Sequence, residues 1–165
     1  MSQDFQTFLK RLEAADELRR VPVAVDPYLE MGAIADRVSK QPGGGSALYF
    51  ERPQGHRMPV VMNAFGSLRR MQMALGVDRE PRGLDAIADR IEGLIQQALP
   101  KPGGSFLDKL AKLPMLAEVG SWMPKTVRKG LCQEVVLQGD AVKLSELPVL
   151  TTWPEDGGPF ITLGM

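Results

Sequence analysis

Apolar residues recur first at helical and then at strand spacing. Phe5, Phe8, Leu9, Leu12 and Leu18 predict an amphipathic helix over residues 4–19, with Ser2 or Asp4 as N-cap. Val21, Val23 and Val25 alternate with Pro22 and Ala24, which reads as a short strand. Asp26-Pro27 supplies a cap followed by proline at the first helical position and predicts a second helix to about Lys40. Leu29, Ile34 and Val38 form its apolar stripe, and Pro42-Gly43-Gly44-Gly45 ends it. Strands follow over residues 47–51 and 59–63, across the turn-rich stretch 52–57. Ser67 caps a helix over residues 68–75 that Gly76 closes. Ile87, Ile91, Leu94, Ile95 and Leu99 mark one face of a longer helix over residues 84–99.

Residues 100–104 break this regularity, and residues 105–129 read as helical pieces cut by Pro114, Gly120 and Pro124. The period then becomes two. Residues 133–137 and 141–144 flank Gln138-Gly139-Asp140, the pattern of a hairpin. Residues 148–159 are loop-like, and residues 160–165 read as the start of a strand. The expected class is α+β: a mixed α/β domain over residues 1–100, an irregular helical linker over 101–131, and a β-rich unit over 132–165. A strand that stops at Met165 lacks neighbours for its backbone groups, so the chain is expected to be a fragment.

Composition narrows the chemistry. The 165 residues fit one ordinary domain with a short satellite. Twenty Lys and Arg balance twenty Asp and Glu, so net charge offers no attraction to nucleic acid or an anionic membrane. No apolar stretch approaches the ~18 residues needed to cross a bilayer, and the polar opening residues lack a signal-peptide core. One cysteine, Cys132, forbids an intrachain disulfide and makes the cytoplasm the expected compartment. One cysteine and one histidine cannot furnish a Cys/His zinc site, although carboxylate sites for magnesium or manganese stay open.

Several segments could carry chemistry, each against a plainer role. Gly43-Gly44-Gly45-Ser46 exposes backbone N–H groups that could cradle phosphate, but a strand follows where a helix is required, which favours a plain turn. Gly66-Ser67-Leu68-Arg69-Arg70 opens a helix after a strand and could hold an anion; the alternative is a capped helix with solvated arginines. His56 lies in a turn with no paired nucleophile and reads as a solvated loop residue. Cys132, beside Leu131 and near Arg128 and Lys129, reads as a small buried apolar residue more than a reactive thiol. Residues 153–162 concentrate a tryptophan, two acids and two glycines between prolines, which suits either a rigid turn or a site loop.

Taken in order, these segments resemble the UbiD-type decarboxylases along the whole chain. Residues 4–20 (DFQTFLKRLEAADELRR) look like the family's opening helix, followed by residues 21–37 (VPVAVDPYLEMGAIADR). Tyr49, Phe50, Glu51 and Gly55 precede residues 59–75 (PVVMNAFGSLRRMQMAL), which are similar to its next block. Residues 132–136, 144–148 (LSELP) and 153–164 (WPEDGGPFITLG) resemble the approach to its cofactor domain.

The resemblance implies a carboxy-lyase that removes or adds carbon dioxide on an aromatic or α,β-unsaturated carboxylic acid. It implies prenylated FMN as cofactor, supplied by a flavin prenyltransferase, with a manganese ion and potassium at its phosphate, and a Glu-Arg-Glu network handling the proton. It further implies a split-barrel FMN-binding domain beginning near residue 132, a homo-oligomer in the full-length form, and a role in ubiquinone or menaquinone biosynthesis. Thr162 matches a threonine on a strand near the flavin, and Trp153 and Asp156 match the loop before it; these are the cofactor-binding candidates. The family's catalytic Arg and Glu and its metal ligands match nothing up to residue 164, so no catalytic or metal-binding residue is assigned and the chain alone is expected to be inactive. Arg69 and Arg70 match the N-terminal domain and not the cofactor site. Two other readings remain: an assembly module that needs a partner chain with the flavin domain, and an unrelated nucleotide-binding domain using residues 43–46 or 66–70.

Overall fold

The computed structural model describes residues 4–79, 81–98, 126, 128, 130, 133–159 and 161. The chain opens with α1 (Phe5–Ala14), β1 (Leu18–Val25), α2 (Glu30–Ser39) and β2 (Ala47–Pro53). β3 (Val60–Met62), α3 (Leu68–Leu75) and α4 (Leu84–Ala98) follow. The three strands form one sheet in the order β1-β2-β3, with β2 central, parallel to β1 and antiparallel to β3. A parallel pair needs a crossover between its strands, and α2 is that crossover. The class is the mixed α/β one expected.

Alternation along β2 builds two cores. Ala47 and Tyr49 face Phe8, Leu9, Leu12, Leu18 and Met73, so α1 and α3 cover one side of the sheet. Leu48 and Phe50 face Val25, Met31 and Ala35, so α2 covers the other. Leu150, about a hundred residues downstream of β2, packs against this second core. One extra residue in β1 between Val21 and Ala24 shifts its register with β2. Pro22 lies in that interruption, where its missing N–H costs no ladder bond.

Several expected boundaries move for local reasons. α1 stops at Ala14, short of residue 19, because Asp16 takes the left-handed conformation (φ 59°). The Asp16 N–H then donates to the Glu13 carbonyl and the Glu17 N–H to that of Leu12, the Schellman arrangement with aspartate where glycine is usual. Leu18 is thereby freed to start β1. α2 begins at Glu30, not at the proline: Asp26 accepts the Tyr28 N–H in a local turn, and Glu30 reaches back to accept the Asp26 N–H. The hairpin expected over residues 133–144 is not formed. That stretch carries short 3₁₀ turns at Gly139–Ala141 and Leu144–Glu146, and Val135, Val136, Leu137 and Val142 are exposed. Alternation alone does not make a strand where no apolar surface receives one face. Cys132 and all of 160–165 except Ile161 lie outside the described residues.

The glycine turn after α2 is held by a buried cation. Ser67 caps α3 as expected, accepting the Arg70 N–H, but Arg70 itself is not solvated: its side chain has 0% exposure. Its guanidinium donates to Glu17 (2.9 Å) and to the carbonyls of Gly45 (2.6 Å) and Gly44 (3.3 Å), while its buried Nε has no partner. Asn63 Nδ2 donates to the carbonyls of Gly44 and Ser46 from the other side. Gly44 combines a φ of 85° with a backbone contact to Gly66 that leaves no room for a Cβ. The phosphate-cradle and anion-site readings of residues 43–46 and 66–70 both give way here: the loop directs carbonyls at an internal guanidinium, whose anion is Glu17.

Removing one member of a buried ion pair typically costs 3–5 kcal/mol, because the remaining charge loses its partner. Arg70→Met is therefore expected to lower the unfolding free energy by about 3 kcal/mol or more, read as a lower urea midpoint. Arg69, 63% exposed, also reaches Glu17, yet Arg69→Met is expected to change stability by less than ~1 kcal/mol. Equal midpoints for the two variants would contradict the assignment.

Candidate functional site

Residues 149–159 lie against the start of α2. Leu29 is left-handed (φ 64°), and its N–H donates to the Thr151 carbonyl at 2.8 Å. The Thr151 N–H returns a longer bond to Pro27 (3.4 Å), which makes a one-residue parallel bridge between Tyr28 and Thr151. Thr151 is buried, and Leu150 beside it enters the second core. Gly32, one turn into α2, faces the Thr152 backbone so closely that a Cβ would stand 2.8 Å from its carbonyl oxygen.

Asp156 closes the next turn. Its Oδ2 accepts the Thr152 N–H (2.9 Å), the Thr152 hydroxyl (3.1 Å) and the Trp153 N–H (2.9 Å). The bond from the Trp153 amide, ahead of those from Thr152, holds this carboxyl below the usual carboxylate range, against a smaller desolvation effect. Trp153 itself is exposed.

A cleft of about 520 Å³ lies between this loop and the N-terminal domain, lined by Asp26, Tyr28, Gln54, His56, Thr151 and Asp156 among others. His56 Nδ1 stands 3.2 Å from the Glu146 carbonyl, so this histidine pairs with the incoming segment instead of being merely solvated. An apolar cleft of about 500 Å³ is lined by Met58, residues 147–150, Thr152 and Ile161. Among the described residues, no group of three His, Cys, Asp or Glu side chains could hold a metal ion. No helix among them is long and apolar enough to cross a membrane.

Of the three cofactor-binding candidates, Trp153 and Asp156 share one turn, and Thr162 lies outside the described residues. Leu29, Gly32 and Thr151 were missed by sequence reasoning. A glycine inside a helical pattern was their one available signal, since such a glycine often marks a close backbone approach.

Residues 9–91 match the model of the 3-octaprenyl-4-hydroxybenzoate carboxy-lyase N-terminal domain, and residues 125–165 match that family's Rift-related domain. The chain belongs to the UbiD carboxy-lyase family. An uncharacterized protein of Aquifex aeolicus is 41% identical over 162 residues, 98% of this chain and 32% of its own length. This UbiD-family chain thus spans about a third of the curated relative it matches. The vanillic acid decarboxylase of Sedimentibacter hydroxybenzoicus in open form superposes with a TM-score of 0.71 at 24% identity, over 96% of this chain and 29% of that one, a likeness of fold. The UbiD-class enzyme HmfF of Pelotomaculum thermopropionicum, solved in complex with prFMN, is 34% identical over 46% of this chain and 17% of its own, with a TM-score of 0.40.

A carboxylate with a depressed folded-state pKa stabilises above its unfolded value, about 3.9, and loses that contribution as pH falls through the folded value. In a Trp122→Phe background, Trp153 is the sole tryptophan reporter. Its emission is expected to hold from pH 7 to about 4 and to shift below it. Asp156→Ala is expected to show the shifted emission already at pH 7. Identical emission and acid profiles with and without the carboxylate would refute the closing role.

Proposed function

We propose that this chain serves as the N-terminal part of a cytoplasmic carboxy-lyase acting on an aromatic or α,β-unsaturated carboxylic acid, with a hydroxybenzoate-type acid of quinone biosynthesis as the first substrate to try. The observation that carries this reading is the succession of the two UbiD family domains along the chain, residues 9–91 and then 125–165. The proposed organisation is an α+β domain over 1–100, a linker over 101–131 and the start of a flavin-binding split barrel from 132, within a homo-oligomer.

Prenylated FMN, the cofactor this reading requires, supplies an electron sink for carboxylate chemistry. Thr162 remains the proposed residue at the flavin, with Trp153 lining its approach. Asp156 is kept as a proposed cofactor-side residue with a further role: its Oδ2 accepts three donors of its own turn and so shapes the loop. In this reading manganese and potassium are held by ligands outside the described residues, among which no metal-binding set is present. What this chain contributes is placement. Its N-terminal domain holds residues 150–156 in a set geometry ahead of the flavin strand.

A second reading, an assembly module completed by a partner chain, is favoured by one observation. Leu84, Ile91 and Ile95 are exposed along α4, an apolar line at helical spacing.

The product of the full gene, loaded with prenylated FMN, manganese and potassium, is expected to release carbon dioxide from a panel of hydroxybenzoate-type and unsaturated acids. Residues 1–165 in the same mixture are expected to release none above a no-protein blank. Turnover by residues 1–165 alone would overturn the division of labour. A full gene product inert on the whole panel would overturn the carboxy-lyase reading in favour of the module.

A further inference from the structure

Two positions at the start of α2 are unfavourable for the helix taken by itself. Leu29 holds a left-handed φ of 64°, a conformation that costs a non-glycine residue stability. Gly32 stands in the first turn of a ten-residue helix, where alanine is the better helix former. Neither is accounted for by the packing of α2 on the sheet, which uses Met31, Ile34, Ala35 and Val38. Both meet the same incoming segment. The conformation of Leu29 aims its N–H at the Thr151 carbonyl, and the bare face of Gly32 admits the Thr152 backbone.

We infer that the N-terminal turn of α2 is a built receptor for residues 150–153, a latch by which the N-terminal domain fixes a segment within the stretch that matches the second family domain. Leu150 anchors the segment in the core, and the Thr151 bridge sets its register. Gly32 permits the close approach, and Asp156 closes the turn beyond it so that residues 152–156 leave in a defined direction. Leu29, Gly32 and Thr151 are therefore positioning residues. Their consequence for a flavin rests on the carboxy-lyase reading above; the latch itself does not.

The test is amide hydrogen exchange on the full 165-residue chain, comparing Gly32→Ala with Gly93→Ala. Gly93 lies in α4 with no atom within 4 Å of a would-be Cβ, so its substitution adds helix propensity without a clash. Gly32→Ala is expected to speed exchange at Leu29 and Thr151 at least tenfold while Tyr49 and Phe50 in the central strand stay unchanged. Gly93→Ala is expected to leave all four rates unchanged or slower. Leu150→Ala, which loosens the anchor while leaving the sequence of α2 unchanged, is expected to reproduce the Gly32→Ala pattern and serves if that variant does not fold. Unchanged rates at Leu29 and Thr151 would overturn the latch. So would acceleration in step with Tyr49 and Phe50, since the contact would then be part of the cooperative core and not a separate device. Because exchange is read without flavin or substrate, its failure is distinguishable from failure of the enzymatic reading.

Discussion

The described fold depends on one guanidinium. Arg70, on α3, bonds to Glu17 just before β1 and to Gly44 and Gly45 between α2 and β2, and so ties α3 to the entries of both parallel strands. An ion is expensive to bury, and a well-packed apolar substitute is often as stable. Here, however, backbone carbonyls also point at the site, and an apolar side chain would take from the Gly45 carbonyl the donor that Arg70 supplies. A planar group with several N–H donors can meet a carboxylate and two carbonyls at once, which lysine cannot do in that geometry. Its Nε stays buried without a partner, so the arrangement is retained at some cost in desolvation.

Fixing that turn fixes α2. The glycine turn sets where the helix ends and β2 begins, and the parallel pairing of β2 with β1 then sets where the helix must start. With both ends constrained, the first turn of α2 meets residues 149–156 along a defined line, down to the gap left by Gly32. One helix is thus shared by two polar turns, with the Arg70 site beyond its C-terminal end and the Thr151 bridge at its first turn.

Most of the N-terminal fold was legible, because its elements announce themselves locally. Ser67 and Gly76 bracket α3 by capping rules, and the spacing of Ile87, Ile91 and Leu94 marks α4. The misplaced ends have one physical cause. Asp16 and Leu29 adopt left-handed backbone that sequence rules reserve for glycine, so α1 ends earlier and α2 starts later than the sequence pattern predicts. The hairpin over residues 133–144 failed for the converse reason: alternation was present, but what would receive it was not local. The latch was legible only as a glycine inside a helical pattern, at position 32. Its partners are more than a hundred residues apart, and Gly32 gives no hint of which backbone approaches it.

The same reasoning explains why the candidate site was half read. Glycines, acids and arginines crowded between elements look like a ligand site, because a ligand needs convergent polar groups and close backbone approach. A turn with many free backbone groups needs the same things for itself. Arg70 and Asn63 serve the carbonyls of residues 44–46, and Asp156 serves the amides of Thr152 and Trp153. In each case the donors and acceptors are matched within the chain, with little left over for a guest. What distinguishes the two kinds of cluster is the count of unmet groups facing open space, a quantity of the folded backbone that residue identity does not contain. By that measure the described part of this UbiD-family chain is a scaffold whose polar chemistry is directed inward at its own turns.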